Sequence, residues 1–343
     1  EPHSLKLRAD GTADSTFGTA GVVTLSAGVG FESARAIFPD AGGYLVLGTL
    51  SGTNADLGIA RLNSDGTLDM TFGNNGVMRH DHGQWEYFVD VARDPMGRFV
   101  VVGRRSASGA GPHDVVVARL NTNGTLDVLF GAMGFVDFDA GGDESATAVA
   151  IDPTTSAIYV AASANGSDTI VLRLDVGGAL EPLFGTSGVV TVDLSGAGRD
   201  EFAFDLLSLG GDVYVAGRAD GPTNSELAVA RLAGSNGALQ PAFGTGGRVV
   251  IDRGASEFAF ALAPAPQGGL YVGGFSGPRM LVGRLTAAGA VDATFATSGF
   301  FEGALSNSAT ASRLVVDASG RVLVAGTIWG TGTEDLGVVR LQP

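Results

Sequence analysis

The 343-residue sequence predicts an all-β chain in which one four-stranded unit is repeated six times, and three observations carry that prediction. A Phe-Gly centre returns at Phe17, Phe72, Phe130, Phe184, Phe243 and, with Ala296 after it, Phe295, at spacings of 52 to 59 residues. A leucine stands ten residues before most of these rings (Leu7, Leu62, Leu120, Leu174 and Leu285), Leu232 stands eleven before, and Leu341 ends a sixth full period. The third observation is composition: Gly 54 without a collagen period, 45% hydrophobic and only 17% charged residues, and no helix-periodic runs, which describes a turn-rich β protein. Units of this length cannot bury their own apolar faces alone, so they pack on their neighbours.

Each period reads as four strands organised around a stretch such as Leu62–Gly76, LNSDGTLDMTFGNNG. After the Phe-Gly turn comes a short strand D (Gly76 to Arg79), then a small-residue strand A, cleanest from Glu32 to Phe38. A tight turn leads to a hydrophobic strand B (Tyr44 to Leu47), and strand C (Leu57 to Leu62) ends in Arg-Leu. The A-to-B turns PDAGG, DPMGR, DPTTSA, SLGGD, PAPQGG and DASGR carry hairpin chemistry, with Gly supplying positive φ and Pro or Asp seeding the turn. Four-stranded blades of this kind build β-propellers. A strands start near Glu32, Glu86, Glu144, Glu201, Glu257 and Ala309, which makes six blades, expected over 26–80, 81–138, 139–193, 194–251, 252–302 and 303–343 plus 21–25. The last blade has no D strand after Leu341, whereas Gly21 to Leu25 is an unmatched one. A single closed domain is expected, with 21–25 pairing with the strand that ends at Leu341, and with Ser4 to Leu7 as an arm over the seam.

Composition also excludes classes of function. There is no cysteine, so disulfides and thiolate metal sites are unavailable. A net charge of −15 argues against nucleic acid and anionic lipid surfaces as partners. No apolar run approaches the ~20 residues that span a bilayer. The chain opens at Glu1 without an initiator Met or an apolar leader, as a trimmed mature segment does, and export is expected.

The A strand opening with Glu, the VLVAG-type B strand, DLGVVRL and NxDGTLDxxFGxxGVV together resemble the delta-60 repeat, a bacterial β-propeller family of exported proteins without assigned activity. The resemblance covers nearly all of the chain. It implies the fold and a secreted or outer-surface location, and brings no catalytic residues. Departures are Ala296 after Phe295, Ala162 for the glycine ending strand B, Arg279 where other units have Asp or Glu, and Ala309 where others have Glu.

Recurrent residues read mostly as folding devices. One phenylalanine per unit at a fixed place is what packing between blades requires. Lys6, Arg61, Arg119, Arg173, Arg231, Arg284 and Arg340 precede the leucine, and Asp14, Asp69, Asp127 and Asp292 follow in the C-to-D connection, so a repeated ion pair is expected there, with a phosphate-binding row as the alternative. Glu32, Glu86, Glu144, Glu201 and Glu257 open five of the innermost strands. They accept neighbouring backbone N–H groups, pair with the blade next door, or converge at one channel mouth, where Ca²⁺ is the cofactor such a ring would take.

The irregular residues gather at one end. Loops from D to A and from B to C emerge together, and the B-to-C connection of blade two is the longest. With the preceding RHDHGQWEYF it is expected to bring His80, His82, Trp85, Tyr87, Arg104, Arg105 and His113 into one patch. Aromatic rings beside arginines suit a glycan, peptide or protein ligand. His80, His82 and His113 offer a Zn²⁺ reading of the same patch, and the plain reading is of solvated loops that tolerate such residues. No Gly-rich phosphate loop, Ser-His-Asp order or paired-carboxylate motif stands out. The reading is therefore an exported, non-enzymatic binding or scaffold module, monomeric. Its alternative is a metal-dependent hydrolase or lyase with its site at the channel mouth.

Overall fold

The computed structural model describes residues 3–25, 31–40, 42–51, 54–166, 168–196, 198–330 and 334–342, without the side chains of 31 and 32. Glu32 of the expected glutamate set thus lies outside the described side chains. The fold class is the all-β, six-bladed propeller, its blades four-stranded. The chain divides into two compact units, Glu1–Ala146 and Thr147–Pro343.

The first unit opens with a two-stranded hairpin, β1 (His3–Leu5) and β2 (Val22–Thr24). One blade follows as β3 (Phe31–Asp40), β4 (Gly43–Leu50), β5 (Asp56–Leu62) and β6 (Val77–His80). The next is β7 (Trp85–Arg93), β8 (Phe99–Ser106), β9 (Asp114–Leu120) and β10 (Phe135–Phe138). The second unit carries β11 (Glu144–Ile151, its first three residues in the first unit), β12 (Ile158–Ala164), β13 (Asp168–Leu174) and β14 (Val189–Val192). After them come β15 (Glu201–Leu209), β16 (Asp212–Asp220), β17 (Ser225–Ala233) and β18 (Arg248–Ile251). The fifth blade is β19 (Glu257–Pro264), β20 (Leu270–Ser276), β21 (Arg279–Leu285) and β22 (Phe300–Gly303). The sixth is β23 (Ser308–Ala309), β24 (Arg313–Val316), β25 (Val322–Trp329) and β26 (Glu334–Leu341). No helix among the described residues is long and apolar enough to cross a membrane.

Burial explains the residue pattern. The middle strands read as continuous apolar runs because both of their faces are covered: the last six residues of β4 and of β9 are all buried. First strands such as β7 alternate, with one face in the core and one half-exposed. The repeated phenylalanines Phe17, Phe72, Phe130, Phe184, Phe243 and Phe295 are all buried, as expected. The expected ion pairs form as Lys6–Asp14 (3.2 Å), Arg61–Asp69 (3.4 Å), Arg119–Asp127 (2.9 Å) and Arg284–Asp292 (2.8 Å). Each of these cations also lies 4.5–5.8 Å from the centroid of the phenylalanine that follows it. Without an aspartate at the usual place, Arg231 turns to Asp212 at 2.6 Å.

First strands share one irregularity. The pairing register shifts by a residue between Ala34 and Ala36, Phe88 and Asp90, Ala203 and Asp205, and Ala259 and Ala261. Each bulge faces the glycine that ends the B-strand motif: Gly48, Gly103, Gly217 or Gly274. A Cβ on these glycines would stand 1.7–2.1 Å from a backbone carbonyl oxygen, so the motif glycine makes room for the bulged chain.

Neighbouring blades are also joined by glycines. Gly66, Gly124, Gly237 and Gly289 lie against the rings of Phe17, Phe72, Phe184 and Phe243, where a Cβ would come within 2.6–3.2 Å of the ring. The turn after the ring is tied to the same loop by Gly18 N–H to Asp65 O (2.7 Å), Gly185 N–H to Asn236 O (2.9 Å) and Gly244 N–H to Ala288 O (2.8 Å).

The expected partner of 21–25 is not the one the structure gives. Within the first unit β2 pairs with β1, in register His3↔Thr24, and the supposed arm is a strand. Residues 3–25 form a complete local copy of the C-to-D connection, with Lys6 N–H on Gly21 O and Asp14 N–H on Lys6 O, as Arg61 and Asp69 do one blade later. A partner so near in sequence costs little loop-closure entropy. The sixth blade reaches four strands by another route. Its first strand is broken by the shared bulge into β23 and β24, both on β25, with β26 on the other edge of β25.

Candidate functional site

The irregular residues lie where β6 runs into β7 and β8 into β9, within the first unit. Trp85 faces Ser106, Glu86 faces Arg105 and Tyr87 faces Arg104 across the β7–β8 pair. Alternation therefore puts Trp85, Tyr87 and Arg104 on one face and Glu86 and Arg105 on the other. The Trp85 and Tyr87 rings stack 6.4 Å apart at 22°, and the Arg104 guanidinium stands 5.6 Å from the Tyr87 centroid. All three are half-buried. The β8–β9 loop folds back over the indole at Gly109, where a Cβ would touch the ring at 3.0 Å. Among the described residues no carboxylate lies within ion-pair distance of Arg104, although, after the hydrogen bonds from His113, its charge helps to hold the Asp143 carboxyl down.

The remaining members of the expected patch are held elsewhere, which corrects the single-patch reading. Arg105 and His82 share Asp137, at 3.1 and 3.0 Å, and His82 stacks on Phe135 at 4.1 Å. His80 meets the Gly124 carbonyl at 2.8 Å, and burial pushes its pKa down, so the neutral ring donates there. His113 pairs with Asp143 at 2.8 Å. The three histidines do not come together, and among the described residues neither group of three or more potential ligand side chains includes a histidine. The physical reason is the end of β6 at His80. The chain then turns on Asp81, whose Oδ1 takes the Gly83 N–H at 2.6 Å, and His82 leaves the strand's alternation.

Four of the expected glutamates are buried and bind their own loops. Glu86 accepts N–H groups of His82 (3.4 Å) and Gln84 (3.0 Å), Glu144 that of Ala140 (3.1 Å), Glu201 those of Leu194 and Ser195, and Glu257 those of Arg253 (3.1 Å) and Ala255 (3.2 Å). Among the described residues none of them groups with another glutamate. Instead Glu86 stands with Asp56 and Asp81, and Glu144 with Asp114 and Asp139. Burial pushes the Glu86 carboxyl up to about 7, with Asp56 and Asp81 adding to the rise against two backbone hydrogen bonds. Asp56 is also raised, by burial first and then by Asp81, against Arg79.

Sequence reasoning missed these aspartates, although the signal was present. Asp56 and Asp114 each precede a second aspartate by 25 residues, and Glu86 and Glu144 follow five residues later. It also missed an aromatic cluster on β15, β19 and β20. Phe202, Phe204, Phe258, Phe260 and Phe275, all half-buried, lie with centroids 4.8–5.9 Å apart, and Arg218 is 5.5 Å from Phe258. The tetrapeptide EFAF, present at 201–204 and 257–260, was its sign.

Residues 42–72 and 97–130 match the family described as "Domain of unknown function (DUF5122) beta-propeller". The sequence thus resembles a β-propeller family. Both matched segments run through strands B and C to the buried phenylalanine, Phe72 or Phe130. No curated protein matches the chain. Among solved structures it is similar to a glucose dehydrogenase, 14% identical over 92% of this chain and 97% of that one, with a TM-score of 0.48. The β-propeller domain of the Trilobed protease from Pyrococcus furiosus is 8% identical over 90% and 83%, TM-score 0.48. Drosophila Semaphorin 2a is 10% identical over 90% and 68%, TM-score 0.47.

Proposed function

We propose that this propeller is an exported, non-catalytic binding module whose ligand stacks on Trp85 and Tyr87 and presents a carboxylate to Arg104. The observation that carries the reading is the half-exposed, near-parallel ring pair beside a guanidinium without an ion-pair partner among the described residues. Two flat rings offer sugar or peptide faces a large contact area at little conformational cost, and an arginine fork fits a carboxylate in bidentate fashion. An acidic glycan or a peptide is the ligand class this chemistry selects. The delta-60 resemblance supports secretion or display on the outer surface of a bacterial cell.

The test is a glycan and peptide array probed with the whole chain, repeated with Trp85→Ala and Arg104→Ala combined. Binding is expected to be lost, while circular dichroism and cooperative unfolding show that the double variant remains folded, since both side chains are half-buried rather than part of the core. Binding that survives the double change sinks the assignment.

A further inference from the structure

We propose that Asp56, Asp81 and Glu86, and again Asp114, Asp139 and Glu144, each hold a divalent cation of the Ca²⁺ type. Each cation would pin the start of a third strand, the loop leaving the fourth, and the start of the next blade's first strand. This goes beyond the stacking site and does not depend on it.

In each group one carboxylate oxygen of every residue lies within 4.8 Å of the others. Oxygen ligands sit 2.3–2.6 Å from Ca²⁺, so ligands on opposite sides of one ion stand about 5 Å apart, and three that close surround a space of ionic size. Each set is built from three elements: β5, the β6–β7 loop and β7 for the first, and β9, the β10–β11 loop and β11 for the second.

Buried oxygens supply an independent observation. Asp56 is 1% exposed and Glu144 0%, and among the described residues neither Asp56 Oδ1 nor Glu144 Oε1 has a hydrogen-bond partner. The protein's own cations answer only part of this charge. Arg79 reaches Asp56 Oδ2 at 2.9 Å, and Arg105 stands 3.8 Å from Asp114 Oδ2. A desolvated carboxylate oxygen without a donor is a loss unless something binds it.

The repeats add a comparison internal to the chain. In the third and fourth repeats the corresponding positions keep their carboxylates (Asp168, Asp193 and Glu201; Glu226, Asp252 and Glu257) without drawing them into one such group, and in the fifth the positions are Arg279, Ala304 and Ala309, with no carboxylate. A guanidinium stands at the first of these positions and pairs with Glu302 at 3.2 Å. The donors are hard oxygens only, with no histidine or cysteine, which selects Ca²⁺ over Zn²⁺, and the irregular loop geometry suits Ca²⁺ better than octahedral Mg²⁺.

The test is calorimetric titration of the chelator-stripped full chain with CaCl₂ alone, with MgCl₂ and ZnCl₂ as separate arms, alongside melting temperatures with and without Ca²⁺. Asp81→Asn and Asp139→Asn are suitable changes, because both residues are exposed and Asn keeps the oxygen that accepts the Gly83 or Gly141 N–H. Two equivalents of Ca²⁺ are expected for the native chain, one for each single variant and none for the double variant. The Ca²⁺-induced rise in melting temperature should vanish in the double variant, whose circular dichroism should match the native chain. Absence of Ca²⁺ binding at millimolar concentration, undiminished stoichiometry in the double variant, or tighter binding of Zn²⁺ than of Ca²⁺ would overturn the proposal.

Discussion

Asp127 shows how one repeated side chain is put to structural use. Burial alone would push its carboxyl up, but the Leu129 N–H and the guanidiniums of Arg119 and Arg98 outweigh burial and hold it below the ordinary carboxylate range. Both arginines reach Oδ2, at 2.9 and 3.2 Å. A carboxylate depressed in the folded state stabilises the fold above its unfolded pKa, near 3.8. That contribution is lost as pH falls through the lower folded value. Asp127→Asn should therefore flatten the acid limb of a stability-against-pH curve. At neutral pH it should cost about 3 kcal/mol in urea unfolding, because the buried Arg119 loses the carboxylate charge it pairs with, while the half-buried Arg98 keeps Asp94. The Arg–Asp pairing could be read from recurrence alone, since both members return at fixed offsets. Asp94, which binds Arg98 at 2.7 Å, could not, because its partner lies within one hairpin turn and does not recur in every unit.

Among elements, the bulged first strand decides which way the site residues face. Gly103 sits opposite the bulge, and a methyl group there would lie 2.1 Å from the Tyr87 carbonyl oxygen and 2.8 Å from Phe88 Cα, both backbone atoms. Gly103→Ala should cost more than 3 kcal/mol and displace the Trp85–Tyr87 pair, whereas Gly83→Ala should cost only about 1 kcal/mol. Gly83 has open space around it and pays only for its φ of +87°. Thermal or urea unfolding of the two variants separates these cases; equal losses would show that the bulge is not what the glycine serves. The B-strand glycine was legible as a motif, but its reason was not, because a bulge is a property of two strands together. The same limit explains the histidines. Alternation puts His80 and His82 on one side only while the strand lasts, and the Asp81 turn ends it.

For the whole molecule, the number of blades followed from the spacing of one phenylalanine, because a buried ring per unit is required wherever blades pack. Choice of strand partner was harder. The sequence holds two copies of the third strand, near Leu7 and near Leu341, and a pattern does not rank them; chain proximity does, which is why β2 pairs with β1. The carboxylate sets were hidden for a related reason. Each draws on residues 25 and five positions apart, and only pairing between strands makes such a spacing a contact.

The glycines that rest on the phenylalanine rings also set a timetable for synthesis. Phe17 waits for Gly66, Phe72 for Gly124, Phe184 for Gly237 and Phe243 for Gly289, so each turn is finished by chain made 46 to 53 residues later. At about 5–20 residues per second, each such turn on the ribosome stays unsealed for several seconds. Nascent chains arrested with residue 124 still inside the exit tunnel should be cut by protease around Phe72–Gly76, and chains arrested after it has emerged should resist. Within each compact unit the direction is the same: the turn of one blade is completed by the chain that follows it.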